Sequence, residues 1–205
     1  MSGPAGNVYD KYRARNPLAA GLVRGFLAAL EDLVVASGAR EAHEVGCGEG
    51  ELALRLARMG LAVRGSDASG AVIAEARRRA RVAGIEVAYR AAPIEALERE
   101  RDGAELIVCC EVLEHVADPE LALARIARLA RPWAILSVPR EPLWRILNLA
   151  RMSYLRAGGN TPGHVNHWSR AAFLELAAGH MEIVRVRTPI PWTMALCRAR
   201  AEGGN

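Results

Sequence analysis

Lysine is almost missing from this chain. Lys11 is the single example among 205 residues, and every other basic side chain is an arginine. The arginines are spread through amphipathic segments, and the formal net charge is only +4 with a sequence pI near 9.2. So mild and dispersed a charge does not mark a nucleic-acid interface. Cysteine is scarce too. Cys47, Cys109, Cys110 and Cys197 sit in apolar contexts with no C-x-x-C pair. That pattern points to reduced thiols packed in a cytoplasmic core rather than to a disulfide framework. Long apolar runs are absent: the segment 17–39 is broken by Arg24, Glu31 and Asp32, so no transmembrane helix is expected. The opening "MSGPAGNVYDKYRARNP" has no apolar stretch of the kind a secretory leader needs. Repeats and low-complexity tracts are missing as well. With 51% hydrophobic and 24% charged residues, what remains fits one globular domain, 1–205, with a substantial core.

The periodicity alternates. Residues 17–36 carry Leu22, Phe26, Leu30 and Leu33 on one helical face. Strand-like runs follow at 41–47, 61–67, 86–92, 105–111 and 133–139. Between them lie helical segments at 50–60 and 69–84 and a third opening at Asp118. Asp118 suits an N-cap, Pro119 the first helical turn, and Glu120 the positive end of the dipole. This rhythm predicts an α/β, Rossmann-like, mostly parallel sheet of seven strands with helices on both faces. The end departs from it. Segments 182–188 and 193–200 are separated only by "PIPW", too short for a helical crossover, so they predict an antiparallel hairpin.

Two stretches carry chemistry. "HEVGCGEGELALRLA" sets Gly46, Cys47, Gly48 and Gly50 between a strand and a helix, with Glu44 two residues before the first glycine. Glycines there let a ligand lie against bare backbone. Asp67 ends the second strand about twenty residues past the first glycine, where an acidic side chain grips ribose hydroxyls in nucleotide-binding α/β folds. The spacing is G-x-G-x-G, not the dinucleotide G-x-G-x-x-G. The other stretch, "CCEVLEHVADP", brings an apolar strand out at Glu111, Glu114 and His115.

"EVGCGEG", "GSD" and "CCEVLEHVADPELAL" together resemble the class I S-adenosylmethionine-dependent methyltransferases over roughly residues 40–200. The resemblance implies a methyltransferase that binds S-adenosylmethionine. Glu44 and Gly46–Gly50 would take its methionine end, Asp67 with Ala68 its ribose, and the segment around Ala92 its adenine. Many members carry aspartate near 91 or 92; alanine stands at both here, leaving adenine to backbone groups or Glu95. "RPW" (131–133) replaces the Pro-Gly-Gly turn of many relatives. Glu111 would lie near the sulfonium and the acceptor.

For a hydroxyl acceptor a proton must be removed, and imidazole is the side chain that titrates near neutrality, which makes His115 the candidate base. If 111–115 form a helical turn, Glu111, Glu114 and His115 share a face. With a histidine of "GHVNHWS", His167 or His164, they could then hold a divalent cation. This E-x-x-E-H pattern is similar to that of ubiquinone-pathway O-methyltransferases and of small-RNA 3′-terminal 2′-O-methyltransferases. An acceptor that is a small molecule, most simply one methylated at oxygen, is expected. A metal-dependent RNA 2′-O-methyltransferase and a non-catalytic cofactor-binding or scaffold protein are the alternatives.

Segment 1–39 is expected to form a helical cap, with Tyr9 and Tyr12 able to reach the cofactor. Segment 140–168 is too long for a simple connection and reads as a lid. Its first half repeats Leu143, Leu147, Ala150 and Tyr154 at helical spacing, and its second half is rich in turn residues. Tyr154, Asn160, His164, Asn166, His167 and Trp168 are its candidate substrate contacts. A basic, Trp-bearing helix there would also suit a membrane surface if the acceptor is a lipid or a quinone.

Overall fold

The computed structural model describes residues 17–150, 161 and 163–200. The helix α1 (Pro17–Ser37) precedes β1 (Glu41–Val45), α2 (Glu51–Arg58), β2 (Ala62–Asp67), α3 (Gly70–Ala83) and β3 (Ala88–Ala91). Short α4 (Arg99–Asp102) leads into β4 (Ala104–Cys110), then α5 (Pro119–Leu129), β5 (Ala130–Pro139) and α6 (Leu143–Ala150). The chain closes with α7 (Arg170–His180), β6 (Met181–Arg187) and β7 (Trp192–Ala199).

The seven strands form one sheet in the order β3-β2-β1-β4-β5-β7-β6. β1 pairs in parallel with β2 and β4, and β4 with β5, whereas β7 runs antiparallel to both β5 and β6. The expected topology and terminal hairpin are both present. "RPW" is not a turn: β5 starts at Ala130 and includes it.

Alternation within each strand feeds two cores. Leu106, Val108, Ile135, Met194 and Leu196 face α1, α2 and α3, joining Phe26, Leu30, Leu56 and Ile73. Ile107, Cys109, Ala134, Leu136 and Cys197 face α5 and α7, joining Leu123, Ile126 and Phe173. Asp118 caps its helix as the sequence announces, and Ser69 caps α3 in the same way. Asp118 accepts from Leu121 N at 3.0 Å, and Ser69 from Val72 N at 3.4 Å. Gly84 closes α3 in the left-handed conformation at φ 63°. Tyr9, Tyr12 and Tyr154 lie outside the described residues, as does Asn160.

One imidazole is built into the sheet. His43, on β1, is buried, with Nδ1 2.6 Å from the Asp102 carbonyl and Nε2 2.9 Å from Ser66 Oγ. A carbonyl can only accept, so Nδ1 carries the proton and Nε2 takes the Ser66 hydroxyl. Asp102 is itself gripped by Arg90 at 2.8 Å. Burial pulls the His43 pKa below its ordinary value, against the Asp102 hydrogen bond and charge, which pull it up. Unfolded, the ring takes a proton near pH 6.5; folded, it does so only at lower pH. This contribution to stability is therefore complete above the unfolded value and drains away as pH falls through the folded one. The gap in urea stability between wild type and His43→Gln should shrink between about pH 7.5 and about pH 5.5; a constant gap would show that His43 does not carry the linkage.

Candidate active site

Parallel strands bring their carboxyl ends to one edge, where ligands of open α/β sheets bind. Glu44, near the end of β1, is buried. Its negative charge, after burial itself, helps push the Tyr89 hydroxyl and the Cys47 thiol above their ordinary pKa values. Asp67 ends β2. Its Oδ2 accepts from Gly48 N at 3.0 Å and its Oδ1 from Ser69 N at 2.9 Å. One carboxylate thus ties the glycine loop to the start of α3. Each oxygen keeps a second lone pair for a ligand hydroxyl. Ala68 is exposed beside it, and buried Ala92 donates its N–H to the Asp67 carbonyl at 2.8 Å.

The glycine loop first makes its own tight turn. Gly46 N and Cys47 N both donate to the Ser66 carbonyl, at 2.8 and 2.9 Å, and Gly50 N to the Cys47 carbonyl at 2.9 Å. These amides close the turn. A Cβ on Gly46 would overlap Val112 Cγ2, and one on Gly50 would overlap the Tyr89 hydroxyl. At Gly48, φ 52°, a Cβ would meet nothing within 4 Å. Gly46 and Gly50 are glycines because protein fills their space; Gly48 is where the loop opens outward. Tyr89, on β3, was not singled out in the sequence, since a lone tyrosine in a strand carries no motif. Arg79 was missed for the same reason. It reaches from α3 to Glu49 in the loop and pairs with Glu75 at 2.9 Å.

Beyond β4 the expected helical turn does not form as drawn. Glu111 takes a left-handed backbone, φ 57°, and a short 3-10 turn covers only Leu113–His115. Glu111 therefore leaves the face shared by Glu114 and His115, and its carboxylate Oε1 accepts from Trp192 Nε1. Glu114 is buried, 2% exposed, whereas His115 is exposed. The second half of the insert wraps this turn. Val165 N donates to the Glu114 carbonyl at 2.8 Å, and the Asn166 side-chain amide donates to the carbonyls of Leu113 and Val116 at 3.0 and 2.7 Å. Asn166 is a brace. His115 Nδ1 lies 2.9 Å from the Gly163 carbonyl, so Nδ1 donates and Nε2 of the neutral ring is left as an acceptor.

Three of the candidate metal ligands come together. Among the described residues, Glu114, His115 and His164 offer ligand atoms all within 4.8 Å of one another. Glu111, another candidate, accepts from Trp192 Nε1. The His164 ring lies 4.9 Å from His115, with exposed His167 6.4 Å behind it. Trp168 is directed elsewhere: its ring lies 6.5 Å from Phe173, against the α7 core. An aromatic wall replaces it. Trp144, on α6, lies 6.0 Å from His164 and 5.7 Å from Trp192, and donates to Thr161 Oγ1 at 2.9 Å.

Residues 43–138 match a family model described as a methyltransferase domain. The ubiquinone biosynthesis O-methyltransferase of Alkalilimnicola ehrlichii is 34% identical over 175 residues, covering 78% of this chain and 68% of that protein. The chain belongs to the class I S-adenosylmethionine-dependent methyltransferases. A ubiquinone biosynthesis O-methyltransferase from Methylococcus capsulatus is 32% identical over 154 residues, covering 67% of this methyltransferase and 64% of that protein. The chain thus spans about two thirds of the length of these relatives. In fold, this methyltransferase is similar to the magnesium protoporphyrin IX methyltransferase of Synechocystis PCC 6803 with bound SAH. The TM-score is 0.69 at 20% identity, covering 93% and 91% of the two chains.

S-adenosylmethionine fits what is present. Carboxylates at the ends of β1, β2 and β4 suit its ammonium, ribose hydroxyls and sulfonium, and the open side of Gly48 gives it backbone to lie on. Asp67→Ala removes both the loop tie and the ribose acceptor, so S-adenosylmethionine affinity by calorimetry should fall about 10- to 100-fold. Unchanged affinity would refute the ribose assignment.

Proposed function

We propose that this methyltransferase moves the methyl group of S-adenosylmethionine to a hydroxyl oxygen of a small, planar acceptor, with His115 as the base. The observation that carries the proposal is the His115 ring itself. It is exposed at the carboxyl edge, with Nδ1–H held by the Gly163 carbonyl and Nε2 left as an acceptor. The names of the relatives, O-methyltransferases of ubiquinone biosynthesis, support a hydroxyl acceptor. Trp144 and His164, both partly exposed, support a flat one, since aromatic faces stack on planar ligands. A cytoplasmic location belongs to the same proposal and agrees with four free cysteines, three of them buried. Among the described residues no helix is long and apolar enough to cross a membrane.

Bound S-adenosylmethionine supplies an electrophilic methyl on a sulfonium. Glu44, the Gly46–Gly50 loop and Asp67 would hold it at the sheet edge, with Glu111 beside the sulfonium, while Glu114 steadies the turn that presents His115. His115 Nε2 would take the proton of the acceptor hydroxyl, whose oxygen would receive the methyl as the sulfur–carbon bond gives it up. The positive charge lost at sulfur is the one gained on the imidazole.

A second role for the same residues rests on the Glu114, His115 and His164 cluster. One carboxylate and two imidazoles suit a divalent ion such as zinc or manganese, which would act as a Lewis acid on the acceptor hydroxyl.

Two measurements test these roles. With 3,4-dihydroxybenzoate as acceptor, His115→Ala should lower kcat by about 100-fold or more while S-adenosylmethionine affinity stays within about twofold. Equal turnover would exclude His115 as base. Dialysis of the wild-type enzyme against EDTA should abolish turnover, with manganese or zinc restoring it, if the cluster is a metal centre. Full activity after chelation leaves His115 to act directly. RNA binding that strengthens at low salt would instead favour a nucleic-acid acceptor.

A further inference from the structure

We propose that Trp192 is a positioning residue for this methyltransferase, aiming the Glu111 carboxylate at the positively charged sulfonium of the methyl donor. The inference rests on the placement of Glu111 beside the sulfonium given above.

Glu111 is the one described non-glycine residue with a positive φ. A left-handed backbone costs a residue with a Cβ stability, and it persists only where the surroundings enforce it. The enforcement is visible. Glu111 N donates to the Ser137 carbonyl on β5 at 3.0 Å, and Glu111 Oε1 accepts from the Trp192 indole N–H. The indole has little freedom of its own. It is 3% exposed, with the edge of Phe26 from α1 at 5.1 Å and Trp144 from α6 at 5.7 Å. Asp32, further along α1, pairs with Arg187 on β6 at 2.8 Å, which ties α1 to the same hairpin.

The topology explains why a residue so late in the chain arrives here. β7 runs antiparallel to β5, so its first residue lies where the parallel strands end, and Trp192 sits opposite Pro139 at that edge. A buried indole N–H needs an acceptor, and a carboxylate is a strong one. The bond fixes which way the Glu111 carboxylate faces. An oriented charge of this kind discriminates ligands by their charge, not by their shape.

S-adenosylmethionine and S-adenosylhomocysteine differ by the methyl group and by the sulfonium charge, so the ratio of their affinities reads the Glu111 charge with no acceptor present. Trp192→Phe keeps a ring against Phe26 and Trp144 but has no N–H. Glu111→Gln removes the charge but keeps an acceptor. Calorimetry on the wild-type chain, both single variants and the double variant should give the following result. Each single variant lowers the preference for S-adenosylmethionine about tenfold, and the second substitution adds nothing to the first. A purely structural role for Trp192 would weaken both ligands equally and leave the ratio unchanged, which would overturn the inference while leaving the Glu111 placement intact. The same follows if Trp192→Phe lowers the ratio as much in the Glu111→Gln background as in the wild type. If Glu111→Gln alone leaves the ratio unchanged, the placement of Glu111 fails and this inference with it. Should Trp192→Phe not fold, Trp192→Met, which fills the space without a donor, must give the same ratios.

Discussion

At Gly46, Gly50 and Gly65 the backbone lacks a Cβ where one would run into Val112, into the Tyr89 hydroxyl, and to within 2.8 Å of the Tyr89 ring. These three gaps let β1, the loop after it, β2 and the exit of β4 close on one another. Because they close, Glu44, Asp67 and Glu111 end at a single edge. Filling any of the gaps forces side chains or backbone to shift, and overpacking of that kind costs about 1–3 kcal/mol. The loop is therefore a packed object first. Only Gly48 faces open space, and the Asp67 carboxylate holds that residue in place through its amide.

The surroundings of Glu111 depend on a different device. Trp192 is the first residue of its strand, so only a strand running against its neighbours sets it at the carboxyl edge. The reversed strand β7 does so, and α1 and α6 pack Phe26 and Trp144 against the ring it delivers. On the other side of Glu111 the insert folds back over the 3-10 turn. Asn166 bridges two carbonyls, and the Gly163 carbonyl accepts a hydrogen bond from His115 Nδ1. The glycine-loop half of the site is thus made by strands and their glycines. The half around Glu111 and His115 is made by a hairpin and a loop that meet around one short turn.

Much of this was legible beforehand. Hydrophobic period, the Asp118 cap, the helix end at Gly84 and the tight "PIPW" connection are local signals, and each of the seven expected strands formed within a few residues of its expected limits. The glycine loop and Asp67 were found by spacing. A regular helical turn at 111–115, the condition for Glu111, Glu114 and His115 to share a face, does not form: Glu111 is left-handed and a 3-10 turn covers only Leu113–His115. Trp168, a candidate substrate contact, packs its ring near Phe173.

By itself, then, the sequence determined the strand and helix order, the sheet edge at which the candidate site lies, and the acidic residues brought to that edge. These follow from interactions between residues a few positions apart. Only the tertiary structure decided which way Glu111 turns, which histidine joins Glu114 and His115, and which glycines serve packing. Those choices are made by partners far away in the chain: Trp192 for Glu111, Gly163 and His164 for His115, and Tyr89 for Gly50. No local pattern encodes contacts between segments brought together only when the sheet forms.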